Sequence, residues 1–155
     1  MPELISYRLA IKNDTKKLSE LFWEQIEEEK PLDTNDKHTF ILECSEYIER
    51  RLGEDLFCWV AVAGGDIVAH INIIIAEKIP RPGKIVRKWG RLSTVRTVPE
   101  YRNKGVGSAL MNKVISWSKE EKLEELFVCP SERSVPFYER AGFKGDNDVM
   151  EMYFG

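Results

Sequence analysis

The sequence predicts a mixed α/β domain: a mixed sheet with helices on both faces and one parallel crossover. Three observations predict it. Segments with apolar residues at helical spacing alternate with β-branched and aromatic runs in the order β-α-α-β-β-β-α-β-α-β. Gly64-Gly65-Asp66 separates two of those runs and is hairpin turn chemistry. Further on, Pro99 separates a strand pattern from a helix that leads to another strand, so these two strands must lie parallel.

The first strand is expected from Ile5 to Ile11. Asn13 and Asp14 then offer helix caps, and Leu18, Leu21, Phe22, Gln25 and Ile26 form an inward stripe that Pro31 ends. A second helix, Thr34 to Leu52, repeats the pattern through Ile41, Cys44, Ile48 and Leu52, with Gly53 as its C-terminal cap. Phe57 to Ala63 and Ile67 to Ile75 read as an antiparallel pair, and Trp89 to Val98 as the next strand. Lys104 to Lys119 is helical, Leu126 to Cys129 a short strand, Glu132 to Arg140 a short helix, and Asp148 to Phe154 a closing strand. No repeat or low-complexity linker divides the chain, so residues 1–155 are expected to form one domain.

Composition excludes several function classes. The 155 residues are 43% hydrophobic and 32% charged, the balance of an ordinary globular protein. With 23 basic and 26 acidic side chains the net charge is −3, so no global field draws in nucleic acid or anionic lipid, and neither is expected as a partner. The longest apolar stretch, Leu56 to Ala63, is far short of a membrane span, and Met1-Pro2-Glu3-Leu4-Ile5 lacks the features of an export signal. Cys44, Cys58 and Cys129 are widely spaced, which argues for reduced thiols and against a zinc site. A cytoplasmic address and no metal follow as expectations.

The segment with the most chemical content runs Val98-Pro99-Glu100-Tyr101-Arg102-Asn103-Lys104-Gly105-Val106-Gly107-Ser108, from the end of a strand into a helix. A helix start presents unpaired N–H groups and the positive end of its dipole. Gly105 and Gly107 leave the approach open, Arg102 and Lys104 add positive charge, and Ser108 supplies a hydroxyl. A diphosphate could dock there; a plain turn with glycines for tight packing is the alternative. Neither G-x-x-x-x-G-K-[ST] nor G-x-G-x-x-G is present.

That segment resembles the acyl-CoA diphosphate motif of the GNAT superfamily of N-acyltransferases, and Pro136-Phe137-Tyr138-Glu139-Arg140-Ala141-Gly142-Phe143 resembles its second signature. A helix and a strand stand between the two, and the element order agrees over nearly the whole chain. The resemblance implies a GNAT fold, a central mostly antiparallel sheet with one parallel, splayed strand pair and helices on both faces, and an N-acetyltransferase that moves an acetyl group from acetyl-CoA, its co-substrate, to a primary amine by direct attack in a ternary complex. It further implies that the backbone of Thr97 and Val98 faces the pantetheine and acyl carbonyl. Main-chain N–H groups from Asn103 through Lys104, Gly105, Val106 and Gly107 to Ser108 would hold the diphosphate. Tyr138 would protonate the departing thiolate as general acid, or else is a half-buried aromatic beside Phe137. The acceptor would be a small-molecule or peptide amine, and family analogy suggests a homodimer.

Three departures qualify the resemblance. Arg91 to Val98 contains no carboxylate to act as base, which leaves ordered water, a carboxylate from elsewhere or Glu77. Ser131 stands where the family commonly has Asn before the second signature, and is expected still to donate to CoA. Pro136 requires its helix to begin near Ser134. The missing carboxylate favours the alternative function, a non-catalytic acyl-CoA binding or sensing module. Cys129 is read as core packing rather than a nucleophile. Between Lys78 and Lys104 every charged residue but Glu100 is basic, which makes either a basic rim for phosphate or a solvated hairpin. Glu24, Glu27, Glu28, Glu29, Asp33 and Asp36 make the first helix end acidic, as a wall for a cationic amine or merely a solvated face.

Overall fold

A computed structural model describes residues 3–145 and 149–155. In chain order the elements are β1 (Ile5–Leu9), α1 (Thr15–Glu29), α2 (Lys37–Arg51), β2 (Leu56–Ala63), β3 (Asp66–Glu77), β4 (Lys88–Thr97), α3 (Val106–Glu120), β5 (Glu125–Val128) and α4 (Val135–Ala141). The five strands lie in sequence order in one sheet; β1 to β4 pair antiparallel, and β4 with β5 parallel. Among the described residues no helix is long and apolar enough to cross a membrane.

Side-chain periodicity sets the layers. Leu18, Leu21 and Ile48 of α1 and α2 are buried against Cys58 and Val60 on one face of the sheet. Val106, Leu110, Val114 and Trp117 of α3 cover Ile71, Ile73 and Leu92 on the other. Alternate residues of each strand therefore face different helices. The β2–β3 turn holds Gly64 and Gly65 at φ of 57° and 83°, the left-handed pair that a two-residue hairpin requires.

Several boundaries shift for local reasons. Asp14 stands at the N-cap of α1, but its carboxylate reaches backward to accept the Ile11 N–H at 2.8 Å, ahead of the tight turn Lys12–Asp14, and pairs with Arg8 at 2.7 Å. Thr34–Asp36 is a single tight turn ahead of α2. The last helix begins at Val135, straight after Ser134, so Pro136 falls in the first turn where no N–H is needed. Residues 149–154 form no strand, contrary to the expectation for Asp148 to Phe154; Asp148 lies outside the described residues. An alternating apolar segment becomes a strand only when a neighbour supplies the ladder. Among the described residues none lies beside this one, and Met150, Met152, Tyr153 and Phe154 are exposed.

Two irregularities shape the sheet near its functional end. Residue pairing jumps from Asn72 with Thr94 to Ile73 with Leu92, which makes Ser93 the extra residue of a bulge in β4. Pairing between β4 and β5 ends at Leu92 with Val128. From Ser93 to Thr97 the outer edge of β4 is therefore open, and the two parallel strands diverge. At the opposite end, Glu124 gathers Arg87 at 2.9 Å, Lys84 at 3.1 Å and Lys78 at 3.2 Å, while Lys78 also reaches Glu125 at 2.7 Å. These cations of the β3–β4 connection are thus tied to the entry of β5 and are not a free basic rim.

Candidate functional site

The divergence of β4 and β5 opens beside the turn that launches α3. In that turn Asn103 and Gly105 adopt φ of 61° and 78°, both left-handed. Gly105 suits this conformation; at Asn103 a side chain tolerates it. The first helical hydrogen bond runs from the Ala109 N–H to the Gly105 carbonyl at 3.0 Å. The N–H groups of Asn103, Lys104, Gly105, Val106, Gly107 and Ser108 have no backbone partner among the described residues. Alternating left-handed positions ahead of a helix start curl such groups into a concave anion-binding nest.

Gly107 sits inside it. A Cβ at this position would lie 3.5 Å from the Thr97 hydroxyl and from the Phe137 ring, an ordinary contact distance. Packing alone does not demand glycine here. The same contacts place Thr97 of β4, the start of α3 and Phe137 of α4 around one opening.

Ladder alternation decides which β4 groups reach the opening. The Val98 N–H donates to the Val68 carbonyl at 2.9 Å, and the Val98 carbonyl accepts the Tyr101 N–H at 3.0 Å. Both main-chain groups of Val98 are thereby engaged within the sheet and turn. By the two-residue alternation, Val95 and Thr97 point their N–H groups away from β3 into the open side. The Thr97 carbonyl accepts the Arg102 Nε at 2.8 Å. Arg102 also donates to Glu28 at 2.9 Å, so its guanidinium bridges to α1. Lys104 stacks its ammonium 5.5 Å over the Tyr101 ring, whose hydroxyl donates to Glu3.

Tyr138 is 7% exposed, with Phe137 and Phe143 edge-on at 5.2 and 5.6 Å. Burial pushes its phenol above the ordinary value, which keeps it protonated at neutral pH. It lines a groove of about 540 Å³ between β5 and α4 with Phe127, Val128 and Phe143. Ser131 exchanges a 3.0 Å hydroxyl contact with Ser134 and accepts the Ser134 N–H on its carbonyl, so it caps the turn before α4. Cys129 is exposed rather than packed in the core, because β5 stops one residue before it.

A second cavity, of about 680 Å³, opens between α1 and the end of β4, lined by Glu24, Glu27, Glu28, Arg96, Val98 and Tyr101 among others. Arg96, 8% exposed, extends from β4 to Glu24 at 3.4 Å and to Glu28. Burial works to raise the Glu28 carboxyl, but Arg96 and Arg102 outweigh it and hold it below the ordinary value. Glu77 is removed from consideration as a base: it pairs with Lys88 at the far end of β4. Ten residues of strand separate that pair from Val98, roughly 30 Å. The carboxylates that do arrive are Glu24, Glu27 and Glu28 from α1, with Asp66 and Glu100 at the rim. Sequence reasoning saw the acidic helix end but not its partner, since nothing local announces an ion pair across 68 residues.

Comparison with known proteins agrees with this geometry. The acetyltransferase (GNAT) family is matched over residues 15–143. Glucosamine 6-phosphate N-acetyltransferase of Trypanosoma brucei brucei is 32% identical over 88 residues, 57% of this chain and 58% of that protein. The chain thus aligns with little more than half the length of that curated relative. A predicted acetyltransferase from Clostridium acetobutylicum, solved with acetyl-CoA, superposes with a TM-score of 0.79 at 20% identity, covering 97% of this chain and 96% of its own. A Trypanosoma brucei acetyltransferase gives 0.74 at 25% identity, covering 97% and 100%. On the strength of the family match, which spans both the nest and the helix that carries Tyr138, the chain belongs to the GNAT acetyltransferase family.

Proposed function

We propose that this chain transfers an acetyl group from acetyl-CoA to a primary amine by direct attack. The observation that carries the reading is the run of unpartnered N–H groups from Asn103 to Ser108 beside the parting of β4 and β5. These donors fit a diphosphate, and the free edge of β4 fits an extended pantetheine arm paired like an added strand. Bound acetyl-CoA supplies an activated acyl group with a thiolate leaving group.

The chain's own groups then divide the work. The Thr97 N–H faces the open side, where it stabilises the charge that develops on the acyl oxygen. Tyr138, kept protonated by burial, donates its proton to the departing sulfur. The cavity between α1 and β4 receives the acceptor. Its walls carry Glu24, Glu27, Glu28, Asp66 and Glu100 against Lys17 and Arg96, so they attract a cationic amine rather than an anion. The name of the trypanosomal relative supports an amino-sugar amine as one candidate, although the phosphate of that relative's named substrate is not what these acidic walls favour. Proton removal from the amine falls to this acidic wall or to water ordered by it.

Calorimetry with acetyl-CoA, followed by thiol release over a panel of alkylamines, amino sugars and peptides, tests the reading. Saturable binding with turnover on at least one amine is expected. Absence of binding at millimolar acetyl-CoA refutes it, and binding without turnover on any acceptor identifies a sensing module instead.

A further inference from the structure

Arg102 stands one residue before the run of free N–H groups, yet its guanidinium turns toward α1. Its Nε donates to the Thr97 carbonyl at 2.8 Å, and a terminal nitrogen donates to Glu28 Oε2 at 2.9 Å. Arg96 takes the other oxygen of the same carboxylate, Oε1, and reaches Glu24 at 3.4 Å. Arg96 and Thr97 are consecutive residues of β4. The four groups therefore close a ring: Thr97 to Arg102, Arg102 to Glu28, Glu28 to Arg96, and Arg96 back to Thr97 through the strand itself. Three elements meet in it, namely the end of β4, the turn before α3 and the last turn of α1.

The ring lies between the two openings of the site. Arg96 lines the cavity with Glu24 and Glu28, whereas the Thr97 hydroxyl lies toward Gly107 at the start of α3. Arg102 itself is absent from the described lining of that cavity. Exposure divides the ring into a fixed half and a loose half: the Arg96 side chain is 6% exposed and that of Arg102 is 44% exposed. Arg96 is held by the packing around it. Arg102 is the link that can be cut while Glu28 keeps a partner, so no buried charge is left alone. A lysine could not replace it, because the planar fork makes both bonds at once and an ammonium is a single point of charge.

We propose that Arg102 serves the acceptor side of the reaction: anchored on the Thr97 carbonyl, it fastens Glu28 and the last turn of α1 to the end of β4, and so sets how the acceptor wall meets the acyl group. Arg102 and Glu28 are positioning residues. An amine attacks an acyl carbon from about 3 Å, and a misplacement of about 1 Å costs roughly a hundredfold in rate. A wall carried on a separate helix therefore needs a tie to the strand that faces the acyl group. Charge alone predicts the reverse effect. Taking a cation away from an acidic cavity makes it more attractive to a cationic amine, whereas cutting the ring frees Glu28 from one of its two anchors.

The functional half rests on the acceptor reading above; the clasp itself does not. In Arg102→Met the KM for the amine that the wild type acetylates best should rise about fivefold, the upper size of a partly exposed ion pair, while acetyl-CoA affinity by calorimetry changes by less than about threefold. Arg102→Lys, which keeps the charge and loses the fork, should not restore KM. An unchanged or lower KM in Arg102→Met refutes the link to the acceptor. A loss of acetyl-CoA affinity of about tenfold or more that Arg102→Lys restores makes Arg102 a phosphate ligand instead and overturns the proposal. Amide hydrogen exchange of the ligand-free protein reads the clasp without an acceptor: Ile26 to Lys30, where the last backbone bond of α1 closes, should exchange about fivefold faster in Arg102→Met, with α3 unchanged. Unchanged exchange overturns the proposal whatever the enzyme acetylates. Faster exchange in a protein that turns over no amine upholds the clasp and removes the acceptor reading alone.

Discussion

Replacing Gly107 by glutamate separates the fold from the nest, because the structure predicts opposite effects on the two. At Gly107 a Cβ meets nothing closer than 3.5 Å, so the first atom of a side chain is accommodated at ordinary contact distance from Thr97 and Phe137. The position is the second residue of α3, where a carboxylate faces the positive end of the helix dipole and contributes about 0.3–1 kcal/mol in its favour. Thermal stability should therefore hold or rise slightly. Binding should behave differently. A carboxylate about 5 Å from a diphosphate charge, at an effective dielectric of about 20, is repelled by about 3 kcal/mol, roughly a hundredfold or more in affinity. Calorimetry with CoA reads the loss, and Gly107→Ala, which adds bulk without charge, should lose much less. A folded Gly107→Glu protein that binds CoA with wild-type affinity would mean that the nest is not the diphosphate site.

The other predictions concern Tyr138 and Glu124. Tyr138→Phe removes only a hydroxyl from a ring packed between Phe137 and Phe143, so fold and acetyl-CoA affinity should persist while kcat falls by roughly 10²- to 10⁴-fold; unchanged turnover removes the phenol from the mechanism. Glu124 is held at a pKa of about 2, chiefly by its bond to Arg87 and further by Lys84 and Lys78, against an ordinary value of 4.5. A carboxylate depressed by folding stabilises fully above its ordinary value and loses that contribution as pH falls through the depressed one. Urea unfolding of wild type and Glu124→Gln should therefore differ near neutrality and converge between pH 4.5 and about 2. A gap that does not narrow with acid contradicts the ion cluster.

Local signals in the sequence were legible, and distant partnerships were not. Gly64-Gly65-Asp66 announced its hairpin because left-handed backbone has few residue types to choose from. Gly105 and Gly107 announced the nest because an open helix start excludes side chains. Pro136 located the start of α4 within one residue, since only a first turn tolerates it. By contrast, the ring of Lys78, Lys84 and Arg87 around Glu124 depends on how β3, β4 and β5 converge, and one sequence contains no record of that. The bulge at Ser93 has no marker either, because Leu92-Ser93-Thr94 is an ordinary strand sequence. The alternation in 149–154 misled for the converse reason: period two describes a ribbon able to pair, and pairing needs a neighbour.

That bulge also bears on the carboxylate β4 lacks. Past Ser93 the strand loses β5 and keeps β3, so its alternate residues acquire separate duties. Val95 and Thr97 turn main-chain donors to the open edge, and the Thr97 side chain faces α3 near Gly107. Thr94 and Arg96 face α1. A carboxylate at position 96 would stand beside Glu24 and Glu28 and repel both, by about 4 kcal/mol for each unit-charge pair at 4 Å and an effective dielectric of about 20. An arginine there reverses the sign: it draws those two side chains across from the helix and holds them at the end of the strand. Three of the five carboxylates that line the cavity, Glu24, Glu27 and Glu28, are thus carried by α1, with β4 supplying the cation that anchors two of them. Under the proposed function, the base that β4 lacks is sought among these cavity carboxylates or in water that they order.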